Sequence, residues 1–394
     1  MAAPTPHDSQ FSLEALLSSI HSGNDDDEDD DKGKKKSTTT QSTTQQSRTA
    51  TDFSNSTLLS PSSTTMPKHN NNNNLSSTTI FCLIPYVWNP QSITKRTEIL
   101  ATWGQRCDRL RFLIDPIIEP QPGHFVDATT LPHNASLPDD VVIVRDLRRP
   151  WHNCTGQSEC RMIWEKVWRS IILVDETEPK FDWYIKTDWD SYVFPEFVKD
   201  YVLTQNFNPH EEHHYFGHKD YHRNDNHTFI SGAMVAWSYK TFHALADTFR
   251  QMPRQADLRR GIHRGCSDSA GSHEEPLTAF CLLWHHNVTS QHTRNERGQE
   301  RVMLFDLKFH LTANRKEPWW YWQGKPDDVG ELDDCCSIRP FCFHGNVFKG
   351  LGAFYRVENQ LYGDNTTWID RPHSHPRVQQ YLSAVRQELQ KIHE

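Results

Sequence analysis

The stretch Asp182-Trp183-Tyr184-Ile185-Lys186-Thr187-Asp188-Trp189-Asp190-Ser191-Tyr192-Val193 decides how the chain folds. An apolar, aromatic run ends in two carboxylates one residue apart, and apolar residues then resume. This predicts a buried strand whose C-terminal end delivers Asp188 and Asp190 into the ligand crevice of an open α/β sheet. In extended backbone, residues i and i+2 point to one side, so both acids would face one cation. Carboxylate oxygens suit Mg2+ and Mn2+, hard cations that bridge readily to a diphosphate. An Asp-x-Asp alone also fits a solvated turn or a helix cap. Here the acids follow a strand pattern directly, and two buried carboxylates without a cation would repel and raise one pKa. The expectation is a metal-dependent enzyme of sugar-nucleotide chemistry.

Working outward, Ile80 to Pro85 reads as a buried strand, Ile93 to Ala101 as a helix and Leu110 to Ile114 as a second strand. That order is a βαβ unit, hence an α/β fold with a mostly parallel sheet and right-handed crossovers. Val141 to Val144 is a third strand, and Met162 to Val174 carries apolar residues at helical spacing, a crossover helix leading into the Asp188/Asp190 strand. Phe229 to Trp237 and the region Leu304 to Leu311 suggest further strands, and the tail from Pro376 a helix packed on the surface. The expected organisation is a low-complexity spacer over residues 1–78 and one catalytic domain over residues 79–394. The spacer holds an acidic run (Asp25 to Asp31), a basic cluster (Lys32 to Lys36) and a Ser/Thr/Gln/Asn-rich tract. Such sequence buries too little apolar area to offset its ordering entropy and is expected to be disordered.

Composition agrees with that division. A hydrophobic content of 36% and a mean hydropathy of -0.75 are low for a chain folded throughout. Residues 1–78 carry ten acids and six bases, so of the net charge of -9 only -5 falls on the remainder. That is not the balance of a nucleic-acid binder, and no nucleic-acid partner is expected. Nine cysteines and the sequons at Asn134, Asn153, Asn226, Asn287 and Asn365 favour an oxidising, glycosylating lumen; those at Asn55 and Asn74, in Asn- and Thr-rich sequence, carry no weight. Against this, there is no apolar run long enough to span a bilayer and no signal-peptide core. Either the N-terminus as written is incomplete or the protein is not membrane-anchored; the residues leave both open.

Further residues can carry chemistry. His344, in Cys342-Phe343-His344, is either a satisfied structural histidine or a third ligand beside the two carboxylates. Glu274 and Glu275 precede a helical pattern over Leu277 to Trp284; one can complement the helix dipole and the other act as a general base. Trp319, Trp320 and Trp322, with Tyr321, cannot all point inward, so part of this run suits either core packing or sugar stacking. Ser231-Gly232-Ala233-Met234 fits a bulge or a close backbone approach to a ligand.

Assembled, these pieces resemble the inverting β1,3-glycosyltransferases related to core 1 galactosyltransferase and to the Fringe proteins. In order they are Ile80-Phe81-Cys82, Thr102-Trp103-Gly104-x-x-Cys107, Trp164-x-Lys166, the Asp182 to Val193 stretch, Tyr215-Phe216-Gly217, Ser231-Gly232-Ala233, Glu274-Glu275 before Cys281, and Cys335-Cys336-Ser337 leading to Phe343-His344. The likeness covers residues 79–350; the double cysteine with Phe-His, and Trp319 to Trp322, resemble the core 1 branch in particular. What it implies is a GT-A fold and a Mn2+ site of Asp188, Asp190 and His344. A UDP-sugar, galactose favoured, would be bound with Asp188, Trp103, Lys186 and Gly232. Glu275 would be the base, and Glu274 with the tryptophans would contact an acceptor glycan, such as N-acetylgalactosamine on Ser or Thr of a glycoprotein. Transfer would be a single in-line displacement with inversion. Relatives reside in the Golgi or elsewhere in the secretory lumen, carry a membrane anchor that this sequence does not show, and are often homodimers.

Three departures stand out. Trp189 replaces the middle of three usual acids, Glu275 replaces a usual aspartate, and Ser231 a usual glycine. A chaperone-like, non-catalytic relative and a Fringe-like N-acetylglucosaminyltransferase therefore remain as alternatives, although retention of Asp188, Asp190 and His344 opposes the first. The resemblance also suggests disulfides Cys82–Cys107 and Cys266–Cys281, leaving an odd set (Cys154, Cys160, Cys335, Cys336, Cys342) with at least one thiol unpaired or paired between chains. Adjacent Cys335 and Cys336 are not expected to bond to each other.

Overall fold

A computed structural model describes residues 77–130, 137–147, 163–222, 227–252, 266, 274–305, 307–312, 334–344, 353–363 and 375–393. The expected spacer to residue 76 and the Trp319 to Trp322 run lie outside the described residues, as do Cys154, Cys160 and every sequon except Asn287.

Strand β1 (Ile80–Tyr86) is buried along its whole length because both of its faces are covered. Helix α1 (Pro90–Ala101) follows after a capping box in which Asn89 and Ser92 bond each other's backbone N–H groups, with Pro90 in the first turn. Strand β2 (Arg109–Ile114) returns parallel to β1, and Cys82–Cys107 ties the two ends of that unit. A hairpin, β3 (Ile117–Gln121) and β4 (His124–Asp127), precedes β5 (Val141–Ile143). Helix α2 (Ile163–Thr177) then crosses to β6 (Trp183–Thr187), a turn, and the short β7 (Tyr192–Val193). Next come α3 (Pro195–Thr204), β8 (Tyr215–His222), β9 (His227–Ser238), α4 (Tyr239–Gln251) and α5 (Glu274–His286). The remainder is β10 (Gln291–His292), β11 (Val302–Met303), α6 (Leu307–Thr312), β12 (Cys342–Phe343), α7 (Ala353–Tyr362) and α8 (Pro376–His393).

The main sheet has the order β10-β8-β9-β6-β1-β2-β5, and β9 alone runs against the rest. It is the mixed, mostly parallel α/β sheet flanked by helices expected of the GT-A fold. Alternation along β1 and β6 divides two cores. Ile80, Cys82, Ile84, Trp183 and Ile185 face one cluster with residues of α3, α7 and α8; Phe81, Leu83 and Tyr184 face the other with residues of α2, α4 and α5. Strand order reverses between β1 and β6, so the switch-point crevice opens at their C-terminal ends, where Asp188 follows β6.

Three expectations are corrected. Asp188 to Asp190 form a turn between β6 and β7, closed by Ser191 N–H on Asp188 O at 3.1 Å, so the strand does not run through the acids. The region Leu304 to Leu311 contributes helix α6, whose Leu307 and Leu311 are spaced for a helical face rather than a strand. Helix α8 packs on the surface as expected, exposing Gln380, Ser383, Gln387 and Gln390 while Val378, Leu382, Val385 and Leu389 complete the first core. Cys335 and Cys336 form a disulfide with each other, while Cys266 pairs with Cys281 as expected and Cys342 is a buried free thiol.

A polar network clamps the C-terminal helices to the sheet. Arg106 Nε forms an ion pair with Glu196 at 2.8 Å, the guanidinium donates to Glu358 at 2.6 Å and Tyr192 Oη at 3.0 Å, and Tyr362 donates to Glu196 at 3.0 Å. All are largely buried, so removing the guanidinium strands two carboxylates without a cation. Arg106→Ala is expected to lower stability by about 3 kcal/mol, read as a lower urea midpoint with an unchanged slope.

Candidate active site

The turn after β6 is fixed by one carbonyl. Ala233 O, on β9, accepts from Thr187 Oγ1 at 2.7 Å and Ser191 Oγ at 3.0 Å, one residue on each side of the Asp188–Asp190 turn. The Cys342 thiol lies on the same oxygen at 3.6 Å, and burial raises its pKa. Cys342 belongs to β12, which pairs antiparallel with β7 in the register Val193↔Cys342 and Tyr192↔Phe343. The next residue is His344, which is thereby brought opposite the acids.

His344 Nε2 stands 3.3 Å from Asp188 Oδ2 and 3.4 Å from Asp190 Oδ1, and the three ligand atoms lie within 4.8 Å of one another. Its other nitrogen, Nδ1, donates to Leu304 O at 2.9 Å. A neutral imidazole held this way turns the lone pair of Nε2 toward the carboxylates, the arrangement that orients a metal-binding histidine. Two oxygens and one imidazole nitrogen around a common point fit Mn2+. Burial pulls the His344 pKa down, but the hydrogen bond to Asp188 and the charges of both acids outweigh it and lift it to about 9. Burial also pushes up Asp188, where Lys186 and His344 prevail and hold it below the usual carboxylate range; Asp190 is raised by burial and by Asp188. Trp189, between the acids, packs against the first core, so the middle side chain points away from the ligands.

A second group adjoins the first. Period two places Lys186 on the face of β6 toward α5, fully buried, paired with the buried Glu274 and 3.5 Å from Asp188. Glu275, at the start of α5, is half-buried, and its Oε1 lies over Gly232 in a register irregularity of the β8–β9 pair. The sequence thus placed Asp188, Asp190, His344, Lys186, Gly232, Glu274 and Glu275 in one neighbourhood of the structure. Trp103 does not join them: it is fully buried in the first core and offers no face to a nucleotide. Lys186 likewise touches Asp188 and Glu274 rather than open space, and the backbone approach expected at Gly232 is made by the Glu275 carboxylate.

Sequence reasoning missed Asp115. It follows β2 at the same end of the sheet, is buried, and pairs with Lys166 at 2.7 Å, while Lys166 also donates to Tyr86 O at 2.9 Å. The signal was present, since an acid directly after an apolar strand is what singled out Asp188.

No protein-family model matches the chain. Among solved structures, the chain is similar to a glycosyltransferase involved in glycosylation of the major capsid of the virus PBCV-1 (9% identity, 70% of this chain and 96% of that one, TM-score 0.30). It is also similar to the galactosyltransferase LgtC bound to donor and acceptor sugar analogs (8% identity, 79% and 96% covered, TM-score 0.34). A third is glucosyl-3-phosphoglycerate synthase of Mycobacterium tuberculosis with Mn2+ and UDP-glucose (16% identity, 46% and 71% covered, TM-score 0.24). At these scores none of the three indicates what this chain does. No helix among the described residues is long and apolar enough to cross a membrane.

Protons and metal compete for His344 Nε2. Below pH 9 each metal ion bound displaces a proton from the raised imidazole. Apparent Mn2+ affinity is therefore expected to climb about tenfold per pH unit from 6 to 8 and to level off near 9, measured by calorimetry or electron paramagnetic resonance. His344→Gln should flatten that slope and weaken binding at least about 100-fold, since loss of even an outer-shell partner costs 10–100-fold.

Proposed function

We propose that the protein is a Mn2+-dependent glycosyltransferase that moves a sugar, galactose by preference, from a UDP-sugar to a 3-hydroxyl of an acceptor glycan with inversion. The acceptor would be a residue such as N-acetylgalactosamine on Ser or Thr of a glycoprotein. The observation that carries this reading is the convergence of Asp188, Asp190 and His344, from two distant segments, at the switch-point end of β6. The sequence resemblance to the core 1 branch supports the choice of donor, acceptor and secretory compartment, and the disulfides agree with an oxidising lumen.

Within this reading, Asp188, Asp190 and His344 hold Mn2+, which when bound neutralises charge on the departing nucleoside diphosphate. Lys186 acts through Asp188: its ammonium keeps that carboxylate ionised and fixes its direction. Glu274 in turn holds Lys186. Glu275 is the half-buried carboxylate left to face the acceptor, and it takes the proton of the attacking hydroxyl.

The test is transfer and hydrolysis of UDP-galactose, UDP-N-acetylglucosamine and UDP-glucose, with and without Mn2+. Wild type should turn over one donor only with metal, and Asp190→Ala should reduce the rate on the order of 1000-fold or more, several kcal/mol of stabilisation being lost. Glu275→Gln should lower kcat by 10²–10⁴-fold, roughly the contribution of a general base, with donor binding intact. No turnover of any donor, with UDP binding indifferent to metal, would instead identify a non-catalytic relative. Turnover of UDP-N-acetylglucosamine alone would make the enzyme Fringe-like.

A further inference from the structure

Gly232 is buried in the middle of β9, in the segment where the β8–β9 register shifts, and lies opposite the first turn of α5. A Cβ added there would stand 2.5 Å from Glu275 Oε1, 3.3 Å from Glu275 Cδ and 3.3 Å from Lys186 Nζ. No backbone atom is among these nearest neighbours. The glycine is therefore not required by a turn: its other close contacts are the far ends of two flexible side chains, both belonging to the site. The space that a side chain would take is occupied by a carboxylate.

We infer that Gly232 is a positioning residue that seats the carboxylate of Glu275: the space left by its missing side chain is where Glu275 Oε1 lies. A glutamate reaches one methylene further than an aspartate, and about 1 Å of misplacement can cost 10²-fold in rate. The Oε1 of Glu275 lies over Gly232, and Lys186 Nζ borders the same space. A side chain at 232 and a glutamate at 275 exclude each other; a side chain at 232 and an aspartate at 275 do not. This inference rests on the reading of Glu275 as the base, and the experiment separates the two.

Five proteins are compared with Mn2+ and the active donor: wild type, Gly232→Ala, Glu275→Asp, the double variant and Glu275→Gln. Gly232→Ala is expected to lose about 100-fold in kcat with donor KM within about twofold. Adding Glu275→Asp to it should restore at least about tenfold, a sign of coupling that a merely structural glycine would not give. A crystal structure of Gly232→Ala should show the Glu275 carboxylate displaced on an unmoved β9 backbone. Should Gly232→Ala melt early, Glu275→Ala is expected to restore its melting temperature by removing the colliding group; failure to do so would assign the glycine to the backbone and overturn the inference. With Glu275→Gln impaired, additive losses or an unchanged kcat in Gly232→Ala would overturn it as well, and an unmoved carboxylate would overturn it in any case. If the carboxylate moves but Glu275→Gln transfers sugar as fast as wild type, the base assignment falls and the seat remains.

Discussion

The carbonyl oxygen of Ala233 is the point from which the metal side of this protein is built. Thr187 and Ser191 reach it from the two ends of the acidic turn and Cys342 from the strand that carries His344. A buried carbonyl satisfied by side chains rather than by a neighbouring strand leaves the ladder locally open, and the β8–β9 register shift opens it here. Both hydroxyls are buried and share one acceptor, so loss of either leaves the carbonyl to the other and costs about 1 kcal/mol, the net contribution of one hydrogen bond. Two segments remote in sequence are thus referenced to a single atom.

Charge imposes the next constraint. Four carboxylates (Asp188, Asp190, Glu274 and Glu275) gather around one lysine and one histidine. Lys186 is buried with Glu274, a pairing that adds little net stability but fixes geometry, because either partner alone would be a buried unpaired charge. The remaining negative charge converges on His344, where the proton is held more tightly than in water, a place suited to a cation. On the opposite side, Gly232 contributes through having no side chain.

Much of this was legible because it is local. The alternation of Ile80 to Tyr86, the period of α2 and the acids after an apolar strand are each read from neighbours in the chain, and they placed the sheet and its metal end. The ligand from β12 was legible only through a motif, since nothing local says that Cys342 pairs with Val193. The failures share that cause. Trp103, set beside the nucleotide only by the resemblance, is closed over completely by tertiary packing. Leu304 to Leu311 is too short for its period to distinguish strand from helix. The bond between Cys335 and Cys336 depends on a local backbone shape that composition does not reveal.

The Arg106 clamp joins segments that leave the ribosome at different times. Asp188 and Asp190 are made midway, but the histidine opposite them, the Glu358 that grips Arg106 and Tyr192, and the α8 leucines that seal the first core all come late. A nascent chain can hydrogen-bond β1, β2 and β6 while it is still being synthesised, domains forming as their residues emerge. The three-ligand constellation cannot close until His344 has been made. The half-built sheet therefore exists for a time with its acidic turn unclamped and one core uncovered.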